Sequence, residues 1–257
     1  MKLKTLLASG IAAIALTAGA AMAEQVKIGI ASEPYPPFAS LDSSGVWGGW
    51  EVEIANAICA AEKMDCVITP VAWDSIIPSL TGSQIDAIFA SMSITEERMQ
   101  TIDFSDKYYN SAAVIVAPKG SDLAATPEGL AGKILGIQAS TIHQAYALKY
   151  FPGAAEIRVY QTQDEANQDL AAGRIDAVQA DNIAMSAFVD SEGGACCEIK
   201  GSVADDPAIL GLGVGAGVRK GDDALREQIN AGIKAIRADG TYDAITKKYF
   251  TVDIYGG

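Results

Sequence analysis

Arg98 and Asp181 are the two side chains that a small zwitterion would need. A guanidinium forms a two-pronged hydrogen bond with a carboxylate, and a carboxylate accepts from an ammonium. An α-amino acid therefore requires one of each at a fixed separation. Around these residues the sequence sets hydroxyls at Ser91, Ser93, Thr95, Ser140 and Thr141, a further acid at Glu33, and rings at Tyr35 and Trp73. Thr141 and free backbone N–H groups would help Arg98 hold a carboxylate. Asp181 would hold an ammonium, and the two rings would sandwich an aliphatic or cationic side chain. Each residue also has a plainer reading. Arg98 follows Ser-Ile-Thr-Glu-Glu and could be an ion-pair partner at a helix start. Asp181 could cap the next helix, Trp73 could be ordinary core, Tyr35 could stiffen a Pro-rich turn, and Glu33 could be a solvated charge. His143 is expected at the solvent or the cleft rim, with no partner for catalysis.

Other chemistries are excluded by what the chain carries. A single histidine in 257 residues rules out a zinc site of several imidazoles and most histidine relays. There is no G-x-S-x-G, no phosphate-binding loop and no cluster of metal-ligating residues, so neither metal nor cofactor is expected. Gly211, Gly213, Gly215 and Gly217 alternate with period two, unlike a dinucleotide loop, and suit a chain crossing between lobes. A net charge of −13 argues against a nucleic-acid partner, which needs a basic surface. With 49% hydrophobic residues the chain can bury a substantial core as one large domain or two small ones.

Residues 1–23 read as an export signal. Lys2 and Lys4 precede an uncharged run rich in Ala, Gly and Thr that closes on Ala21-Met22-Ala23, a small-residue cleavage pattern. The first cysteine is Cys59, too far from the cut for a lipid anchor. The expected location of the mature protein is an oxidising, exported compartment. Cys59 and Cys66 flank a helix-to-strand turn short enough for a disulfide, the alternative being two buried thiols. Cys196-Cys197 could pair as neighbours or stay reduced; their spacing is not that of a redox motif.

The elements that would position these groups show in a repeat. Residues 80–91 (LTGSQIDAIFAS) read against residues 170–181 (LAAGRIDAVQAD) without a gap, and Asp74 and Asp164 precede them at the same offset, each placed to cap a helix. Each copy gives a helix, a Gly/Ser turn and an apolar strand such as 85–90. Strands at 26–30 and 134–137 open the two halves. Alternating strands and helices predict an α/β fold of two similar lobes with mainly parallel sheets. Ligands bind such sheets beyond the carboxyl ends of the strands. Those ends are residues 31–38, 90–98, 138–141 and 180–182.

At this point the chain resembles the bacterial solute-binding proteins for polar amino acids, the soluble receptors of ABC importers, within the lysine/arginine/ornithine-, histidine- and opine-binding branch. The resemblance covers essentially all of the mature chain. It rests on Tyr35-Pro-Pro-Phe38, Gly49-Trp-Glu-Val-Glu53, Trp73-Asp-Ser-Ile-Ile-Pro-Ser-Leu80, Ile85-Asp-Ala-Ile88, Ser91-Met-Ser-Ile-Thr-Glu-Glu-Arg98, Gln138-Ala-Ser-Thr141, Ala172-Gly-Arg-Ile-Asp-Ala177, Asp239-Gly-Thr-Tyr242 and Lys247-Lys-Tyr-Phe250, in that order. The Cys59–Cys66 pair matches a disulfide of the same branch.

The resemblance implies a type II-like periplasmic binding protein: two lobes joined by two crossover strands, closing on a ligand by hinge motion. Lobe 1 would be residues 24–109 and 214–257, lobe 2 residues 114–204, and the crossovers residues 110–113 and 205–213. It implies that Arg98 clamps the ligand carboxylate with Ser93 and Thr141, that Asp181 takes the α-amino group, that Ser91 adds a polar contact, and that Tyr35 and Trp73 stack on the side chain. Glu33 stands nearest to the acid that meets a distal cation. Ala90 replaces a serine, a change of little consequence if only its carbonyl is used, and Ile142 replaces a glutamine of some relatives. The expected function is a monomeric, non-enzymatic receptor for a free, cationic amino acid, with a membrane permease as partner. An opine binder, or a cyclohexadienyl dehydratase-like enzyme using Glu33 or His143 as proton donor, is the alternative.

Overall fold

The computed structural model describes residues 25–153 and 155–256; the expected signal peptide lies outside the described residues. Two five-stranded sheets form the framework. The first is ordered Cys66–Val71, Val26–Ala31, Ala87–Ile88, Val214–Arg219, Ile102–Tyr109, and the second Ala155–Tyr160, Lys133–Gln138, Ala177–Asp181, Ala113–Pro118, Cys197–Ser202. Written this way the two sheets correspond strand for strand, as the repeat predicts. In each, the first three strands run parallel and the last two join antiparallel. The sheets are therefore mixed, because each receives a strand adjoining a crossing between the lobes.

Both faces of these sheets are covered, so the central strands are largely apolar rather than alternating. Ala113–Pro118 (AVIVAP) is buried for five consecutive residues. Neighbouring residues then serve different cores: Ala87 packs with Trp50, Ile54 and Tyr108, whereas Ile88 packs with Ile76, Leu80 and Ile102. Helices Trp50–Ala61, Asp223–Ala238 and Thr241–Tyr249 pack on one another beside the first sheet. Trp50 fixes that group, its Nε1 donating to Thr246 Oγ1 at 3.0 Å.

The chain passes from the first sheet to the second between Tyr109 and Ala113 and returns between Ser202 and Val214. The return is not strand-like throughout. Asp206 accepts from Ala208 N at 3.1 Å and Pro207 starts a helical turn, Pro207–Leu210, a combination that favours a helix start. Of the four alternating glycines, Gly211 (φ 84°) and Gly213 (φ 113°) belong to this return, and a Cβ on Gly211 would lie 2.5 Å from the Ile94 carbonyl oxygen. Gly215 and Gly217 instead lie inside the strand Val214–Arg219.

Two expected caps are not made. Helix Gln163–Ala171 is capped by Thr162 in a reciprocal pair with Glu165, so Asp164 sits inside the first turn. Asp74 lies within a short 3-10 turn, Trp73–Ser75, and the helix Ile76–Thr81 has no side-chain cap. The cysteines are paired. Cys59, in the last turn of helix Trp50–Ala61, joins Cys66 at the start of the edge strand with Cα atoms 6.2 Å apart. Cys196 joins its neighbour Cys197. Among the described residues no helix is long and apolar enough to cross a membrane.

Candidate functional site

The carboxyl ends of the two central parallel arrays open onto one cleft of about 670 Å³, counting its open mouth. That is within the range of small-molecule sites. Glu33, Tyr35, Trp73, Ala90, Ser91, Ser93 and Arg98 line it from the first lobe, and Thr141 and Asp181 from the second. Nine of the ten residues expected at the site are thus brought together. Ser140 is not on the wall; it adopts φ 58° and its N–H donates to Gln144 Oε1, which shapes the turn before the helix.

Arg98 is held without an opposite charge. Thr95 caps the turn Glu96–Met99 by accepting from Arg98 N at 3.2 Å, which fixes where the side chain starts. The guanidinium donates from Nη1 to the Ser93 carbonyl at 3.0 Å and lies over the Trp73 ring, 5.5 Å from its centre. Among the described residues no carboxylate is within ion-pair distance of it, so the reading as a helix-start ion pair does not hold. Loss of water pulls its pKa down to about 10, against the opposing pull of Glu97 and Asp181. A cation in that condition gains from any anion entering the cleft.

Asp181 faces it from the other lobe. It occupies the position before helix Asn182–Val189 but makes no side-chain cap. Its Oδ2 instead accepts from the Tyr35 hydroxyl at 2.7 Å, and its Oδ1 lies 3.6 Å from His143 Nε2. The Tyr35 hydroxyl is raised well above its ordinary pKa, chiefly by burial and then by Asp181, and stays a donor. Its ring packs against Phe38 with centres 5.9 Å apart. Trp73 presents its ring to Arg98 and keeps a buried Nε1 without a hydrogen-bond partner. Glu33 is anchored rather than free: one oxygen accepts from Trp73 N at 3.0 Å.

The hydroxyls are partly committed. Thr141 donates to the Gln138 carbonyl at 2.8 Å and caps helix Ile142–Tyr150 through Gln144 N. Ser91, at φ 52°, gives both its N–H (2.7 Å) and its hydroxyl (3.1 Å) to Glu51.

A model of the bacterial extracellular solute-binding proteins, family 3, matches residues 26–252. The chain belongs to that family. It is 40% identical to the L-arginine-binding protein of Pseudomonas aeruginosa over 233 residues, covering 90% of each chain. It is 39% identical over 246 residues to the histidine-binding periplasmic protein of Escherichia coli, covering 95% of this chain and 94% of that one. Among solved structures it resembles an ancestral arginine-binding protein bound to arginine, with a TM-score of 0.81 and 34% identity over 88% of this chain and 98% of that one.

In this family 3 protein the cleft also includes residues that sequence reasoning did not place there. Glu51 is 1% exposed and lines the cleft, its carboxylate accepting from Ser91 and from the Tyr108 hydroxyl. Burial raises its pKa and those hydrogen bonds oppose the rise. The available signal was an acid between Trp50 and Val52 in the first turn of a helix whose other buried residues are apolar. Gln163 lines the second lobe at the same offset from Trp73 as the repeat itself, so the repeat could have found it. His143, expected at the solvent or the cleft rim, takes the second place: it is 5% exposed and borders the cleft beside Asp181.

Proposed function

We propose that this protein is a periplasmic receptor for a free α-amino acid with a cationic side chain (arginine, lysine, ornithine or histidine), which it passes to the membrane permease of an ABC importer. The observation that carries this is the pairing, on opposite walls of one cleft, of a guanidinium without an ion-pair partner and a carboxylate freed from capping. Arg98 takes the ligand carboxylate and Asp181 the ammonium. Trp73, with Arg98 stacked on it, borders the space for the side chain, and Glu33 and Glu51 supply negative charge toward a distal cation. The arginine- and histidine-binding relatives support that ligand class.

Charge-assisted hydrogen bonds contribute about 1.5–3 kcal/mol each. A few of them, less the cost of ordering the ligand, give the roughly −8 kcal/mol of micromolar binding. All are made only when residues 24–109 with 214–257 approach residues 114–204, swinging about 110–113 and 205–213, so the ligand favours closure by that difference. The Tyr35–Asp181 bond marks the closed arrangement, and the closed shape is what a permease distinguishes. Both clamp groups come from one chain, so a monomer suffices. Export through the signal at residues 1–23 agrees with the paired cysteines. No catalytic step is assigned.

A thermal-shift panel of the twenty amino acids, ornithine, citrulline and opines tests this, since a ligand that binds only the folded form raises the melting temperature. Cationic amino acids are expected to give the largest shifts. Largest shifts with acidic ligands, or aromatic product formed from prephenate or arogenate, would overturn the reading.

A further inference from the structure

His143 is the only histidine in the chain. It stands in the first turn of helix Ile142–Tyr150 with its Nε2 3.6 Å from Asp181 Oδ1 and its Nδ1 buried without a hydrogen-bond partner. The other Asp181 oxygen is taken by Tyr35. The carboxylate oxygen left for an incoming ammonium is therefore the one the imidazole overlooks. We propose that His143 is a further residue of the ligand site: protonation of its imidazole and binding of the ligand's ammonium compete for Asp181, so acid weakens binding. This rests on Asp181 being the ammonium acceptor.

The surroundings leave Asp181 as the group that senses the imidazole charge. Across the cleft, Tyr35 and Arg98 act on Asp181, and Glu33 and Glu51 line the first lobe's wall. At the far end of the same helix Lys149 and Tyr150 are engaged with Asp206, and Tyr146 donates to the Ala204 carbonyl. On the edge strand Ala155–Tyr160, Arg158 pairs with Glu156, and Tyr160 donates to Asp169. Lys133 lies at the opposite end of its strand from the cleft. Among the described residues, no other charged group is within ion-pair distance of the imidazole.

An uncommitted amide lies on the strand that ends at Asp181, outside the cleft lining. Gln179 is fully buried with neither side-chain amide atom partnered, and it lies two residues before Asp181 on the same face of the strand. Ala177, on that face too, packs with Tyr146 and Ala147 of the His143 helix.

An imidazole ordinarily changes charge between about pH 5 and 8. Above that interval Asp181 is open to the ligand ammonium. Below it the imidazolium neutralises Asp181 and repels a second cation. Affinity then falls as the pH drops through that interval, by about tenfold in all.

The test uses the chain without a histidine tag, so that His143 gives the only imidazole proton signals in an NMR titration. L-arginine is the probe, with calorimetry on the same samples. Saturating L-arginine is expected to lower the His143 midpoint by about one pH unit. Asp181→Asn should lower it without ligand, and His143→Gln should flatten the pH dependence of L-arginine binding. A midpoint unmoved by both L-arginine and Asp181→Asn overturns the proposal. If calorimetry detects no L-arginine binding at any pH, the receptor reading fails for this ligand, while the Asp181→Asn shift still decides whether the two side chains are coupled.

Discussion

The Tyr35 hydroxyl donates to Asp181 Oδ2 at 2.7 Å, joining a loop of the first lobe to a strand end of the second, 146 residues later. Burial and the neighbouring carboxylate both keep that hydroxyl protonated, so the bond is charge-assisted. It orients the carboxylate and ties one wall of the cleft to the other. Tyr35→Phe keeps the ring against Phe38 and removes only the bond. Titration calorimetry is expected to show L-arginine bound roughly tenfold more weakly, the equivalent of one such hydrogen bond. An unchanged affinity would mean that the bond does not prepare Asp181 for its ligand.

Glu33 is tied to Trp73 N through one carboxylate oxygen and lines the cleft. Glu33→Gln preserves an acceptor for that tie and removes the charge. The preference for L-arginine over citrulline, an uncharged analogue, is expected to fall about tenfold, as competition binding would measure. Equal preference in both proteins would assign the distal cation to Glu51 instead.

Glu51 bears on stability. Its pKa is raised, mainly by burial, so the folded state holds the proton more tightly than the unfolded chain does. For an acid raised on folding, the unfolded chain releases its proton first. This group's contribution is then fully present below the ordinary carboxylate value and declines as the pH rises toward the raised value. Glu51→Gln should accordingly flatten the loss of melting temperature from about pH 4.5 upward, read by calorimetric scans at several pH values. A steeper decline in the variant would contradict the assignment.

The bridge Cys59–Cys66 closes a short loop between helix Trp50–Ala61 and an edge strand. Chain-entropy reasoning gives a stabilisation of about 2 kcal/mol for a loop of this size. The double variant Cys59→Ser with Cys66→Ser should lose about that amount in urea denaturation while its L-arginine affinity stays within about twofold, since the bridge lies away from the cleft. A large loss of affinity would tie the bridge to the site.

Much of this is legible in the sequence. The repeat of 80–91 in 170–181 carried the two corresponding sheets, and apolar strand ends bordered by Arg98, Thr141 and Asp181 carried the cleft. What the sequence withheld has physical causes. Asp164 and Asp74 look like caps because Asp is a good cap by type, yet Thr162 and the 3-10 turn at Trp73 occupy those places. The strand expected at 85–90 narrows to Ala87–Ile88, since pairing on both sides stops there. Glu51 was hidden because a helix-start acid is ordinarily solvated, and its burial is fixed by Ser91 and Tyr108 from elsewhere in the chain. His143 was expected at the solvent or the cleft rim, and the structure takes the second, beside the strand end at Asp181.

The central claim is that Arg98 and Asp181 grip opposite ends of one molecule, and calorimetry with end-blocked ligands tests it most directly. L-arginine should bind the wild-type protein, whereas its amide and its N-acetyl derivative should each bind at least a hundredfold more weakly, about 2.7 kcal/mol, because each leaves one buried charge unanswered. Arg98→Ala and Asp181→Ala should each abolish L-arginine binding. Normal affinity for either blocked ligand, or for L-arginine in either variant, would contradict the account.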